Sequence, residues 1–148
     1  MINDKQYFLG MYEVYRNMIG SQRGFNDRIA KKYQLTGQER YILAVLFYEP
    51  GASKKRIADF MSVLMPSITK SIERLEKKGL IEKQSCGNDG RVCKHFATTK
   101  GQELNQQLIN ESHKIWIEAF KDLSSDKVEV FKDIMARLQC LLDKTETE

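Results

Sequence analysis

Residues 65–79 read Met65-Pro66-Ser67-Ile68-Thr69-Lys70-Ser71-Ile72-Glu73-Arg74-Leu75-Glu76-Lys77-Lys78-Gly79. Ile68, Ile72 and Leu75 recur at helical spacing and mark a buried stripe. At about 100° per residue, Pro66, Lys70, Glu73, Arg74 and Lys77 then point outward, with Ser67 and Thr69 on the flanks. Proline is compatible with this helix because it falls in the first turn, where its missing N–H has no partner to lose. Gly79 supplies the C-terminal stop.

The neighbouring segments define what this helix belongs to. Upstream, Thr36-Gly37-Gln38-Glu39 has the form of a capping box. The helix it starts carries Tyr41, Ile42, Val45 and Leu46 inward and ends at Glu49-Pro50-Gly51. Ser53 caps a short helix with Ile57, Phe60 and Met61 on one face, and Ser62-Val63-Leu64 connects it to the helix quoted above. Downstream, residues 80–86 and 92–97 are short enough for strands. Asn88-Asp89-Gly90-Arg91 between them contains the Asp-Gly pair that favours a two-residue hairpin turn.

Long amphipathic helices flank this block. Phe8, Met11, Tyr12, Tyr15, Met18, Ile19, Phe25 and Ile29 form one stripe running to about Tyr33, with Gly10, Gly20 and Gly24 inside it. Those glycines either bend the helix or admit close packing. Thr98 or Thr99 caps a helix through Leu104, Leu108, Ile115, Trp116 and Phe120, and Ser124 or Ser125 caps a last one from Val128 to Leu142. The aromatic N-terminal stripe exceeds what one core of this size can cover, so part of it reads as a subunit interface.

The chain has 148 residues, 41% hydrophobic and 30% charged, with two prolines and three cysteines, and its net charge is +4. A chain this long forms one domain or two intimately packed lobes and buries about 70% of its unfolded surface. The composition excludes collagen-like, disulfide-dense and disordered classes. The sequence shows neither a membrane-length apolar run nor a signal peptide, and the odd, scattered cysteines fit a reducing cytoplasm. Charge is unevenly distributed. Residues 53–100 hold 11 Lys and Arg against 5 Asp and Glu, or +6, whereas residues 1–52 carry +2 and residues 101–148 carry −4. A basic block inside a neutral-to-acidic scaffold suggests a polyanion partner.

Helix, short helix, helix, hairpin is the order of a winged helix-turn-helix, whose third element lies in the DNA major groove. The expected fold is therefore mainly α with a small β-hairpin wing, with residues 35–99 as the DNA-binding domain and 1–34 with 100–148 as the helical dimerisation region. Ile57-Ala58-Asp59, Leu75-Glu76-Lys77-Lys78-Gly79-Leu80-Ile81, Asp89-Gly90-Arg91 and Thr98-Thr99-Lys100-Gly101 together resemble the MarR family of bacterial transcriptional regulators. The resemblance is strongest over residues 35–101. It implies a cytoplasmic homodimer that interlocks through its N- and C-terminal helices and sets two winged domains on a pseudo-palindromic duplex DNA operator. It further implies a regulator, usually a repressor, released by a small-molecule effector, a metal or an oxidant.

Lys70 and Arg74 are the leading candidates for groove or phosphate contact, with Ser67 and Thr69 as hydrogen-bonding partners. Met65 and Pro66 offer apolar contact to a thymine methyl. Lys54 and Lys55 suit phosphate, Lys94 on the second strand of the wing is a further candidate for DNA contact, and Lys77 and Lys78 read as solvent-facing or steering charges. By the resemblance, Arg91 is a minor-groove arginine and Asp89 the carboxylate that orients it; Gly90 stands where the family commonly has a further arginine.

If Asp89-Gly90 is a two-residue turn, Cys86 faces Cys93 across the hairpin at a separation open to a disulfide, with His95 on the same face. A redox- or metal-responsive regulator acting through Cys86 and Cys93 is thus an alternative, as is a winged-helix protein-interaction module that does not bind DNA. The competing reading makes the cysteines small buried hydrophobes. Three residues do not complete a zinc site, so no metal and no cofactor is expected. Cys140 lies on the apolar side of the last helix. Tyr12, Arg16, Tyr41, Tyr48 and Trp116 are candidates for lining an effector cleft, although aromatics at helical spacing usually belong to a core. No phosphate-cradling loop or nucleophile-base pair is present in the sequence, and no enzymatic activity is expected.

Overall fold

The computed structural model describes residues 5–85 and 93–145, with side chains over 9–84 and 93–144. The order of elements is α1 (Lys5–Lys32), α2 (Gly37–Tyr48), α3 (Lys54–Phe60), α4 (Met65–Lys77), β1 (Ile81–Ser85), β2 (Cys93–Ala97), α5 (Thr99–Phe120) and α6 (Ser125–Thr145). The fold is mainly helical with a two-stranded antiparallel hairpin, and it matches winged-helix architecture. The chain divides into two compact units, Met1–Glu111 and Ser112–Glu148.

The core of the first unit gathers Ile29 and Ala30 from α1, Ile42, Leu43 and Leu46 from α2, Ile57 from α3, and Ile68, Ile72 and Leu75 from α4. Leu80, Ile81 and Leu108 close it. Each large aliphatic side chain buried there contributes on the order of 1.5–3 kcal/mol. Two residues expected inside are not. Tyr41 is 46% exposed and Phe60 56% exposed. The inward face of α2 is already filled by Ile42, Leu43, Val45 and Leu46, and α3 is too short to bury more than Ile57 and Ala58 with part of Met61.

Helix α1 is a single element through Gly10, Gly20 and Gly24, and a Cβ built at Gly10 or Gly20 would meet nothing within 4 Å. Its C-terminal part packs through Phe25, Ile29 and Ala30, whereas Met11, Tyr15, Met18 and Ile19 are exposed.

Local capping follows the sequence closely. Glu39 N–H donates to Thr36 Oγ1 at 3.1 Å and Thr36 N–H to Glu39 Oε2 at 3.0 Å, completing the capping box. Arg56 N–H donates to Ser53 Oγ at 3.1 Å. At α5 the cap is Thr98: Gly101 N–H donates to its hydroxyl at 3.1 Å, and that hydroxyl donates to the Gly79 carbonyl at 2.7 Å. A Cβ at Gly101 would collide with the Leu80 carbonyl, so this glycine lets α5 start directly against the end of the α4 turn.

The hairpin register corrects an expectation. Ile81 pairs with Ala97 and Ser85 with Cys93. Cys93 therefore faces Ser85 rather than Cys86, one residue out of step with the register that a two-residue Asp89-Gly90 turn would impose. Cys86, Asp89 and Arg91 lie outside the described residues. Residues 51–53 add a short third rung to β2: Gly51 N–H donates to the His95 carbonyl at 2.9 Å, His95 N–H to the Ala52 carbonyl at 3.2 Å, and Ser53 bridges to Lys94. Gly51 has φ +85°, which favours glycine, and a Cβ there would press on the Phe96 ring.

In the second unit Trp116 stacks on Phe120 at 5.7 Å, and Phe120 meets the edge of Phe131 at 5.3 Å. Val128 and Phe131 are half-buried, while Ile134, Met135, Leu138, Leu141 and Leu142 are exposed along α6.

Candidate nucleic-acid interface

Helix α4 packs against α2 and α3 through Ile68, Ile72 and Leu75, with Ser71 buried among them. A serine inside an apolar stripe requires a partner. It finds one in Gln38: Ser71 Oγ donates to Gln38 Oε1 at 2.7 Å, while Gln38 Nε2 donates to Ser67 Oγ at 2.9 Å. Thr69 Oγ1 turns back to the Met65 carbonyl at 3.3 Å. Of the hydroxyls expected to serve an outside partner, Thr69 thus spends its proton within the protein, while Ser67 accepts from Gln38 and keeps its own O–H.

Charge is tied in the same way. Glu39 is 1% exposed, and its carboxylate accepts Arg74 Nε at 2.6 Å and Lys78 Nζ at 2.8 Å. Burial alone would raise its pKa, but hydrogen bonds from Lys78, Arg74 and the Thr36 N–H outweigh burial and hold the carboxyl below its usual range. Lys78 also donates to the Gln34 carbonyl at 2.8 Å. Lys78 is therefore not the solvent-facing charge that its sequence position suggests; it clamps the end of α4 to the α1–α2 connection. Arg74 is half-exposed, with its Nη2 on Ser71 Oγ at 2.9 Å.

What remains outward on α4 is Pro66, Ser67, Lys70, Glu73 and Lys77, preceded by Leu64 and Met65. Lys55 is exposed on α3 and Lys94 on β2, whereas Lys54 is half-buried. Arg56, also exposed, is engaged by Glu49 at 2.8 Å.

Behind the wing, His95 is fully buried, with Nδ1 3.4 Å from the Ala52 carbonyl and Nε2 4.0 Å from Glu76 Oε1. Burial is the largest influence and lowers its pKa; Ala52 and Glu76 oppose this, and Lys54 and Lys83 add to it. Cys93 is a free, half-buried thiol, Cys140 a free, exposed one, and among the described residues no group of three His, Cys, Asp or Glu is placed to hold a metal ion.

Residues 35–93, which span α2, α3, α4 and the hairpin strands as far as Cys93, match the model of the MarR family. Over these residues the chain is similar to the MarR family. The likeness in fold extends beyond them. A MarR family transcription regulator superposes with a TM-score of 0.85 at 15% identity, covering 97% of this chain and 95% of its own. A MarR family protein from Bacillus stearothermophilus gives 0.81 at 16% identity, covering 95% and 98%. The S. aureus MepR–DNA complex gives 0.71 at 18% identity, covering 87% and 94%.

Tyr41 and Tyr48 stand exposed on α2, and Tyr12 and Arg16 on α1. Trp116 belongs to the aromatic cluster of the second unit. Gln38 and the wider role of Glu39 escape a sequence reading. The available signal was Ser71, a polar residue at a buried helical position.

Proposed function

We propose that this chain is a homodimeric, cytoplasmic regulator of transcription that binds a pseudo-palindromic duplex DNA site through α4 and its wing. The observation that carries this reading is the outward face of α3 and α4. Lys55, Lys70 and Lys77 project from two packed helices whose core side is wholly committed. Lys70 contacts the groove or phosphate; Lys54, Lys55 and Lys94 serve phosphate; Arg74 acts from its anchored position beside Glu39. That a MepR of the same fold was solved with DNA supports the choice of partner.

The second subunit covers the exposed apolar side chains of α1 and α6. The regulator acts by occluding a promoter until a small-molecule effector favours a spacing of the two α4 helices that no longer matches successive major grooves, about 34 Å apart. Purified protein mixed with sheared genomic DNA should enrich a small set of fragments that share a two-fold motif. Recovery of fragments at random frequency overturns the reading.

A further inference from the structure

The turn between α3 and α4 is apolar and open to solvent. Leu64 is 82% exposed, Phe60 56%, Met65 45% and Val63 37%. Leu64 is also the N-cap of α4 and makes no side-chain cap hydrogen bond, whereas Thr36 and Ser53 cap α2 and α3 through their hydroxyls. Leucine ranks among the poorest N-cap residues, far below Asn, Asp or Ser. Here the chain forgoes a side-chain cap and leaves an aliphatic side chain in water. Meanwhile several polar side chains of the same helix already have partners within the protein, Ser67 and Ser71 in Gln38, Thr69 in the Met65 carbonyl and Arg74 in Glu39.

This inference rests on the DNA-binding reading and specifies what the site recognises. In the major groove the one apolar feature of a base edge is the 5-methyl of thymine, and the N-terminal residues of a recognition helix are those that reach base edges. We propose that Leu64 and Met65, with Pro66 beside them, read thymine by its methyl group, so that specificity at these steps comes from apolar contact while the exposed Lys55 and Lys70 hold the phosphates on either side. Charge complementarity selects duplex DNA over a protein as the occupant of this patch, because the two helices that the apolar turn joins carry the exposed Lys55 and Lys70.

The test uses the full-length protein and the genomic fragments it enriches, resynthesised with deoxyuridine in place of thymidine. This change removes each methyl while retaining Watson–Crick pairing. Wild-type affinity should fall about fourfold for each contacted methyl. In Leu64→Asn and Met65→Ala the ratio of affinities for the two DNA forms should shrink towards one. Leu64→Asn should also raise the melting temperature, because asparagine restores the missing cap, so a loss of discrimination there is not a loss of folding. Equal wild-type affinity for both forms overturns the proposal. A ratio that persists unchanged in both variants also overturns it, since the preference then belongs to the shape of the DNA. If no fragment is enriched at all, it is the DNA-binding reading that fails.

Discussion

The Glu39 carboxylate, buried under α4, holds the Arg74 guanidinium at 2.6 Å. The residue that closes the capping box of α2 is thus the one that fixes the C-terminal half of α4. Arg74→Ala should cost about 1–3 kcal/mol, less than a fully buried pair because Lys78 stays on Glu39 and the guanidinium is half in solvent. Glu39→Ala, which leaves two cations around an empty position, should cost more. Urea unfolding of both variants checks the order; equal stability of Arg74→Ala and wild type would mean that the ion pair is only a surface contact.

Stability should depend on pH in two separate windows. The Glu39 carboxyl is lowered from 4.5 in the folded state, so its contribution is complete above that value and is lost as pH falls towards the folded pKa. His95 is lowered from 6.5, so the unfolded chain binds the proton more readily, and stability declines as pH drops below 6.5 towards the folded value. Unfolding curves recorded from about pH 8 to about pH 3 should show both declines. Glu39→Gln should remove the lower one and His95→Gln the upper.

Two backbone positions should respond in opposite directions. Gly101→Ala drives a methyl into the Leu80 carbonyl and should destabilise by about 2 kcal/mol or more. Ser62 holds φ 51° in the turn before α4, a left-handed conformation that costs a non-glycine residue about 1 kcal/mol. Ser62→Gly should therefore raise the melting temperature. A fall there would show that the serine side chain compensates for its backbone.

DNA affinity should fall steeply with salt through counterion release. Lys70→Ala should weaken binding and reduce the slope of log affinity against log salt by about 1, with melting unchanged. An unaltered slope would place Lys70 away from phosphate.

Ile134, Leu138 and Leu141 are exposed on α6 at helical spacing. Leu138→Asp should shift the protein from dimer to monomer in sedimentation velocity and abolish cooperative occupation of a two-fold site. A wild-type protein that sediments as a monomer at micromolar concentration would defeat the dimer.

The sequence alone determined the order of the elements and most of their ends. Thr36, Ser53, Thr98 and Gly79 act on backbone groups within a few residues, and the apolar period of α4 selects its buried face by local geometry. The lysine-rich block was equally legible, because charge can be counted without coordinates. Only tertiary packing decided which cations are committed. Arg74 and Lys78 lie 35 and 39 residues from Glu39, and nothing in their spacing distinguishes them from Lys70 and Lys77. The hairpin register was decided in the same way, by pairing across the strands rather than by the turn dipeptide, and it set Cys93 against Ser85. Capping and periodicity are interactions over one turn of chain; ion pairs and register depend on where a second element crosses.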